Sequence, residues 1–376
     1  MEKCYEHKKD LHMLFIDYRQ AFDSIDKQCL YEYMELKGVP KKLVRLIKAA
    51  TSNAKAKVMV EGKIGDEFNL TRGVRQGDAL SATLFNLAMN CVLEKVAGTD
   101  NNIVHKLTQI CAYADDIVLM ARGLRYLKEM FDALEIQSEK IGLEVSESKS
   151  KYLHMTSIDS RRSIKPLKIG GYSFENVSNF EYLGTKLNNQ NKIDEEISRR
   201  IMKGNKAYFA NVKLIKSKLI SRQTKMKIYK TLIRPVLTYG AETWTLTSIN
   251  SNRLRVFERK VIRRIYGPIL EGDVWRIRTN NEINNILQNE DIVRHIKAQR
   301  LQWLGHLERM DGIRAPRKMY KARMECRRRK GRPRSRWTDE LEADLLSMNV
   351  RPWKVVAADR NKWKSVVGEA KVHIGL

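Results

Sequence analysis

The stretch that decides the fold is Ala112–Met120, which reads AYADDIVLM. Two adjacent carboxylates, Asp115 and Asp116, stand between apolar runs rich in strand-forming residues, and this pattern predicts a β-hairpin with both acids at its turn. Because unpaired carboxylates are costly to bury, one interpretation is that these are solvated turn residues. The other is a site for divalent cations such as Mg²⁺, which bind carboxylate oxygens together with substrate phosphates.

A third carboxylate follows an apolar run near the amino terminus. Leu11–Ile16 has the composition of a buried strand, and it ends directly before Asp17. One further carboxylate on a neighbouring strand would complete a metal site with the Asp115–Asp116 pair. We therefore expect the strand that ends at Asp17 to lie beside the hairpin.

Three blocks of sequence carry a resemblance to a known family. Phe15–Asp23 reads FIDYRQAFD, Gly73–Asp78 reads GVRQGD and Tyr113–Asp116 reads YADD. In this order and spacing they resemble the palm of reverse transcriptases, and among these the enzymes of non-LTR, LINE-type retrotransposons. The resemblance implies an α+β fold, a right-hand polymerase palm with an antiparallel sheet, followed by a helical thumb-like region and a C-terminal helical region.

The resemblance also implies a chemistry, RNA-directed DNA synthesis by two-metal nucleotidyl transfer. Asp17 and Asp115 would hold two Mg²⁺ ions, with Mn²⁺ as an alternative metal. The backbone carbonyl of Ile16 or Tyr18 would assist, and Asp116 would shape the second site. The substrates would be deoxynucleoside triphosphates, an RNA template and a DNA primer whose 3′-hydroxyl is extended.

Several further residues match positions that contact nucleotide or template in the family. Phe22 would exclude a ribose 2′-hydroxyl, although a core aromatic at the start of a helix is an equal interpretation. Gln76 and Gly77 would contact the template base and the incoming nucleotide, and Tyr113 would join them. A lysine would protonate the leaving pyrophosphate or would simply be an exposed side chain; the candidates are Lys149 and Lys151.

The order of the predicted elements supports the same division of the chain. A strand, two short helices, a hairpin near Glu61-Gly62, a helix over 79–96, the acidic hairpin, a helix over 124–141 and two more hairpin segments fill residues 1–190. We expect this part to be the palm, with the fingers that precede it in the family largely missing. Residues 191–270 would form the thumb-like region and 271–376 the C-terminal region.

Charge is distributed unevenly along the chain. Residues 1–150 carry 22 basic and 22 acidic side chains, so residues 151–376 carry the whole net charge of +27. Residues 203–234 contain ten basic side chains and no acidic one, interleaved with apolar residues at helical spacing. Such a surface indicates binding to a phosphate backbone, with solubility as the alternative. The candidates are Lys203, Lys206, Lys213, Lys216, Lys218 and Arg222.

The densest basic run is Arg327–Arg336. It contains Lys330, Arg332 and Arg334 in the order Lys-Gly-Arg-Pro-Arg, which resembles a hook that lies in the minor groove of AT-rich DNA. A nuclear-localisation signal or a basic linker is the competing interpretation.

Composition excludes several classes. No apolar run approaches the length that spans a bilayer, and the first residues have no signal-peptide pattern, so we expect a nuclear or cytoplasmic protein without a membrane partner. Five scattered cysteines suggest neither a disulfide framework nor a zinc site. Two functions remain: a reverse transcriptase, or a catalytically inactive truncated product that only binds nucleic acid. The sequence does not decide the oligomeric state.

Overall fold

The computed structural model describes residues 1–52, 55–96, 108–158, 165–322, 324, 335–373 and 375. These residues form two compact units. The first, which we call the sheet unit, consists mainly of Met1–Gly184. The second, the helical unit, consists mainly of Lys192–Lys321 and the described residues after 334.

The sheet unit is organised around β1, Leu11–Ile16, all six residues of which are buried. In the six-stranded sheet β1 lies between β7, Asp116–Ala121, and β8, Lys151–Met155, and is antiparallel to both. The complete strand order is β6-β7-β1-β8-β10-β9. The expected antiparallel sheet is thus found, with one difference: β10 runs parallel to β8.

Helices cover one face of this sheet. Leu14 and Ile16 of β1 pack in one apolar core with Phe85 and Phe131, which come from two long helices. The neighbouring side chain, Phe15, points to the other face because side chains alternate along a strand, and its ring lies 4.1 Å from that of Phe180. The sheet is therefore buried on both faces near β1.

The elements of the sheet unit follow the predicted order. The helix over 79–96 is found with those bounds, and the turn at Glu61-Gly62 is confirmed by positive φ angles at both residues. The elements are α1 Glu2–Glu6, β1, α2 Ala21–Ser24, α3 Lys27–Leu36, α4 Lys41–Ser52, β2 Lys55–Ala56, β3 Met59–Val60, β4 Lys63–Ile64, β5 Phe68–Asn69, α5 Ala79–Val96, β6 Thr108–Tyr113, β7, α6 Leu124–Lys140, β8, β9 Leu167–Ile169, β10 Tyr172–Asn176 and β11 Asn179–Tyr182.

The first helix of the helical unit carries three acidic residues in its first turn, a favourable arrangement for the helix dipole. Its central helix is capped by the Thr247 side chain, which accepts a hydrogen bond from the Asn250 N–H. Two apolar clusters form the core, one around Trp244 and one around Trp363. The elements are β12 Thr185–Asn188, α7 Asp194–Ala210, α8 Val212–Lys216, α9 Arg222–Ile228, a π-helical turn Tyr229–Ile233, α10 Arg234–Leu237, a 3₁₀ turn Ala241–Thr243, α11 Ser248–Tyr266, β13 Ile269–Glu271, β14 Val274–Arg276, α12 Asn280–Ile286, α13 Ile292–Arg309, α14 Ala315–Lys321, α15 Trp337–Ser347, α16 Trp353–Ala358 and α17 Arg360–Ala370.

The sequence predicts that Pro235 and Tyr239-Gly240 interrupt the helical pattern of this unit, because proline and glycine usually end helices. The helix does end before Tyr239-Gly240, whereas Pro235 lies in the first turn of α10, so this half of the prediction is wrong. The preceding Tyr229–Ile233 turn is π-helical. A wider turn spares the proline ring the usual clash with the carbonyl four residues earlier, and a first-turn position needs no N–H donor.

Candidate active site

The end of β1 brings acidic and basic side chains into one row. Ile16 pairs with Ile117, so the next position places Asp17 opposite Asp116, and directly opposite side chains share a face of the sheet. On the other side β8 begins at Lys151, and the turn over residues 147–149 that precedes it brings Lys149 to Asp17. Lys149 Nζ lies 3.7 Å from Asp17 Oδ1, with both side chains substantially exposed.

The acidic hairpin turns one residue earlier than predicted. Asp116 is the first residue of β7 and pairs with Tyr113, so the two turn residues are Ala114 and Asp115. Ala114 has a φ of 53°, a left-handed conformation that two-residue hairpin turns require. The difference arises because Asp116 pairs with Tyr113 as the first residue of β7, which fixes its backbone beside Asp17 and leaves Asp115 at the tip of the hairpin.

The three carboxylates repel one another. Partial burial, then the charges of Asp115 and Asp17, raise the pKa of Asp116 above its usual range. A divalent cation would relieve this repulsion, and carboxylate oxygens are the donors that Mg²⁺ prefers. Within the described residues, however, no three Asp, Glu, His or Cys side chains converge closely enough to form a ready-made metal cage.

The two residues expected to offer a carbonyl flank Asp17. Ile16 is buried within β1. Tyr18 is also buried, its hydroxyl lies 2.7 Å from that of Ser138, and burial raises its pKa to about 12. Both side chains therefore serve the core, and a role toward a metal rests on their backbone carbonyls alone.

Two serines that sequence reasoning missed hold the backbone of Asp17. The Asp17 N–H donates to Ser150 Oγ at 3.1 Å, and the Asp17 carbonyl accepts from the Ser146 N–H at 2.8 Å. Ser150 is fully buried. No local sequence signal marks these serines, because the contact joins positions 133 residues apart.

Beside the row lies an open cavity of about 630 Å³. It is lined by three basic side chains from separate segments, Arg19, Arg72 and Lys149, and by two acidic ones, Asp23 and Glu144. Arg19 is paired with Glu144 at 2.6 Å. Arg19 and Arg72 were not among the predicted site residues, since only folding brings them beside Lys149.

The loop before α5 approaches the segment that follows Asp17. Phe22 is half-buried and its ring stacks on Phe85 at 4.3 Å. Gln76 Nε2 lies 3.5 Å from Asp23 Oδ2, and Gly77 has a φ of 87° with no atom near its Cβ position. This loop therefore lies beside Phe22, as its predicted role requires, whereas Phe22 also has the packing of a core aromatic.

The structure separates the two candidate lysines. Lys149 lies beside Asp17 and on the cavity. Lys151 instead donates to Glu175 Oε2 and to the Ser148 carbonyl, both at 2.8 Å, which directs its charge toward β10. Tyr113, by contrast, is 68% exposed at the hairpin end and is accessible to a ligand.

A tyrosine from β11 contacts the acidic hairpin on the face of the sheet that carries Phe15 and, by the alternation along β1, Asp17. The Tyr182 hydroxyl donates to the Asp116 carbonyl at 3.4 Å, and its ring lies 5.5 Å from Phe15. Burial, with smaller contributions from Cys111 and Asp116, raises the pKa of Tyr182 to about 12, so it remains a hydrogen-bond donor. This contact helps to fix the backbone of Asp116.

The basic residues of the helical unit form an exposed surface with apolar members. Phe209 is 59% exposed and Leu219 97% exposed, and Lys260 Nζ lies 5.5 Å from the Phe209 ring. Lys203 is half-buried, whereas the other five predicted side chains are exposed: Lys206, Lys213, Lys216, Lys218 and Arg222. Lys330, Arg332 and Arg334 lie outside the described residues.

Comparison with known families assigns the sheet unit. Residues 1–187 match the family described as reverse transcriptase (RNA-dependent DNA polymerase). This part of the chain belongs to the reverse transcriptase family. The predicted fold is thereby confirmed, and together with the mobile-element relatives described next the match confirms a non-LTR, LINE-type reverse transcriptase. The row Asp116–Asp17–Lys149 lies within the matched residues.

Relatives of this reverse transcriptase come from mobile elements. A transposon-derived protein of Caenorhabditis elegans is 28% identical over 68% of this chain and 93% of its own length. The RNA-directed DNA polymerase of the mobile element jockey from Drosophila funebris is 26% identical over 74% of this chain. The match covers only 30% of the jockey polymerase.

A solved structure is also similar. The apo telomerase of Candida tropicalis matches 68% of this chain and 40% of its own chain, with 15% identity and a TM-score of 0.40. None of the helices in the described part of the chain has the length and apolar composition needed to cross a bilayer.

Proposed function

We propose that this chain is an RNA-directed DNA polymerase that extends a primer 3′-hydroxyl with deoxynucleoside triphosphates on an RNA template. The observation that carries the proposal is the row of Asp116, Asp17 and Lys149 at one edge of the sheet, with Asp115 at the adjoining turn. Acids on one side and a cation on the other suit a reaction in which a hydroxyl is deprotonated and a pyrophosphate leaves.

Asp17 and Asp115 would hold two Mg²⁺ ions, or Mn²⁺ ions, with the carbonyl of Ile16 or Tyr18 and with Asp116 at the second position. Bound there, the ions would lower the pKa of the primer hydroxyl and neutralise the triphosphate. The fit rests on the donor chemistry and on the mutual repulsion that raises the pKa of Asp116. Ser146 and Ser150 would keep Asp17 oriented toward this position.

The cavity beside the row would receive the triphosphate. Arg19, Arg72 and Lys149 give its wall three cationic side chains, and guanidinium groups are suited to bidentate phosphate binding. Lys149 would donate a proton to the leaving pyrophosphate. Lys151, paired with Glu175, would not.

The sugar and base would be read by the residues around Asp23. Phe22 would exclude a 2′-hydroxyl, and Gln76, Gly77 and Tyr113 would contact the nucleotide and template. The accessible position of Tyr113 and the approach of Gln76 to Asp23 support these roles.

The helical unit would bind the primer–template duplex. Exposed lysines neutralise phosphates without reading sequence, and the exposed Phe209 and Leu219 offer apolar contact to sugars and bases. Lys203, Lys206, Lys213, Lys216, Lys218 and Arg222 would form this surface. The basic run that includes Lys330, Arg332 and Arg334 would also bind nucleic acid.

The test is primer extension by the purified chain on poly(rA) with an oligo(dT) primer, in Mg²⁺ or in EDTA. We expect synthesis that requires Mg²⁺ and falls at least about 10³-fold in the Asp115→Ala/Asp116→Ala variant. Asp132→Asn, at an exposed position of α6, is the matched control and should retain wild-type synthesis. No synthesis by the wild-type chain, with duplex binding retained, would favour the binding-only alternative.

A further inference from the structure

We infer that Gly73 is a positioning residue for sugar selection. By allowing a very close approach of two backbone segments, it fixes Phe22 where Phe22 would meet the 2′ position of the incoming nucleotide. The inference rests on the proposed function, because it concerns how that polymerase would distinguish deoxynucleotides from ribonucleotides. Its evidence is the packing of the loop before α5 against α2.

Gly73 lies against the backbone of Asp23. Its φ is 81°, and a Cβ atom built there would lie 2.6 Å from the Asp23 carbonyl oxygen and 2.7 Å from its Cα. Real Cβ atoms do not approach backbone that closely, so any side chain at position 73 forces the two segments apart. Asp23 directly follows Phe22, so the displacement would also move Phe22, the residue that would exclude the 2′-hydroxyl.

Two hydrogen bonds lock this approach. The Gly73 N–H donates to the Ile25 carbonyl at 2.8 Å, and the Val74 N–H donates to the Phe22 carbonyl at 2.7 Å. Val74 is itself buried in the core of the sheet unit. The loop is thus anchored at Val74 and holds the backbone of Phe22 directly.

The ring of Phe22 is held by the helix that follows the same loop. Phe85 of α5 is fully buried and stacks on the Phe22 ring with an interplanar angle of 18°. The loop therefore fixes the backbone of Phe22 and the helix fixes its ring. A steric gate needs this rigidity, because discrimination against one oxygen atom depends on displacements well below 1 Å.

A second glycine supports the other end of α2. A Cβ at Gly142 would lie 2.5 Å from the Ser24 carbonyl oxygen, and the Asp26 N–H donates to the Ile141 carbonyl at 2.8 Å. This contact is two residues beyond Phe22 and involves neither its backbone nor its ring. Gly73 is therefore the glycine that acts on the gate.

The test compares incorporation of dTTP and rUTP by the full chain on poly(rA) with oligo(dT). In Gly73→Ala we expect the ratio of kcat/KM for dTTP to that for rUTP to fall about tenfold. Gly62→Ala is the matched control, because Gly62 has the same φ of 81° and no atom within 4 Å of its Cβ position. It carries the same backbone strain without the contact and should keep the wild-type ratio.

A double-mutant cycle then isolates the route through Phe22. Phe22→Val should lower the selectivity by itself, and adding Gly73→Ala to it should change the ratio no further. Phe85→Leu, which loosens the ring without touching the loop, should lower the ratio as well, and it decides the question if Gly73→Ala does not fold.

The outcomes separate this inference from the proposed function. A wild-type chain that makes no Mg²⁺-dependent product overturns the proposed function and this inference with it. An active wild-type chain whose selectivity is unchanged in Gly73→Ala, or in Phe85→Leu where the first variant is unfolded, overturns the inference alone. A fall in Gly62→Ala equal to that in Gly73→Ala also overturns it, since general backbone strain would then account for the effect.

Discussion

In the sheet unit charged side chains lie outside the core, whereas the helical unit buries several of them. Among the described Asp, Glu, Lys and Arg residues of the sheet unit, Lys27 is the buried one. In the described part of the helical unit seven are buried: Glu196, Arg200, Lys225, Glu258, Asp291, Arg300 and Asp344. The acids of the two units therefore have different tasks, since those of the first stay accessible to a ligand and those of the second serve the fold.

Among the described residues of the helical unit the buried charges nearly cancel, with four acids and three bases, so its surface keeps the basic character of its composition. Two of the buried acids form internal ion pairs: Glu196 Oε1 lies 2.5 Å from Arg200 Nε, and Asp344 Oδ1 lies 2.7 Å from Lys297 Nζ. These acids therefore serve the fold. The sheet unit, in contrast, keeps Asp17 41% exposed beside a Lys149 that is 67% exposed, an arrangement suited to a ligand that brings its own charge.

The largest effect should come from replacing Lys149 and Lys151 one at a time. If Lys149 is the proton donor to pyrophosphate, Lys149→Ala should lower kcat about 10³-fold, the typical contribution of general acid catalysis. Lys151→Ala is its matched control, since Lys151 is bound to Glu175 and should change kcat less than about threefold. Single-turnover extension measures both. Equal losses in the two variants would contradict the assignment and return both lysines to a structural role.

The next effect concerns a buried acid of the helical unit. Burial raises the pKa of Glu258 from 4.5 to about 7, although the hydrogen bonds that it accepts from Tyr229 and from the Ile292 N–H act to lower this pKa. The folded protein then binds the proton more tightly than the unfolded chain, so stability falls as the pH rises from 4.5 to 7, by about 3 kcal/mol. Glu258→Gln mimics the protonated acid. It should match the wild type near pH 4.5 and be more stable above pH 7, as thermal unfolding across this range would measure.

A neighbouring acid provides the control of opposite sign. Burial opposes ionisation of Glu290, but hydrogen bonds from Arg234 and Lys230 hold its pKa below the usual range. Its contribution to stability is present above its unfolded pKa and is lost as the pH falls. Glu290→Gln should therefore destabilise the protein at pH 8, where Glu258→Gln stabilises it. A change in stability of the same sign in both variants would contradict the opposite pKa shifts assigned to Glu258 and Glu290.

Part of this architecture is readable from the sequence. The apolar runs around Asp17 and around Asp115 are long enough to predict two strands, and their adjacency follows from the need to share a core. The strand ends then locate the acids. The sequence predicted Asp116 in the turn, whereas it is the first residue of β7. Its pairing with Tyr113 requires a left-handed Ala114, and the turn contains no glycine or asparagine that would indicate this conformation.

Other features depend on contacts between distant segments. Lys149 and Lys151 are equivalent in the sequence, and the structure distinguishes them because Lys149 contacts Asp17 whereas Lys151 contacts Glu175, 24 residues away. Arg72 reaches the cavity from the loop before α5, and Ser150 meets Asp17 across 133 residues. The parallel pairing of β8 with β10 is likewise invisible locally, since both directions use the same side-chain alternation.

A smaller effect should come from the surface of the helical unit. Lys213, Lys216 and Lys218 are exposed on a segment without acids. Replacing all three by alanine should weaken duplex binding about 20-fold and reduce the slope of log K against log salt concentration by about 3. Fluorescence anisotropy of a labelled primer–template at several salt concentrations measures both quantities.

The matched control removes the same charge from the sheet unit. Lys41, Lys42 and Lys48 are exposed on α4, and their replacement by alanine should change the salt slope by less than about 1. Equal slopes for the two triple variants would mean that charge acts without regard to its location. The contrast between the units would then be one of composition and not of binding.

The smallest effect should come from Ser150, the buried hydroxyl behind Asp17. Ser150→Ala removes the acceptor of the Asp17 N–H. We expect the loss of this hydrogen bond to raise the activation free energy by about 1 kcal/mol, which lowers kcat about fivefold. The KM for dTTP should stay unchanged, because Arg19, Arg72 and Lys149 in the cavity are untouched. Ser148→Ala, at an exposed position two residues earlier, should behave as the wild type. If Ser150→Ala instead raised KM at constant kcat, the serine would shape the nucleotide cavity and not the orientation of Asp17.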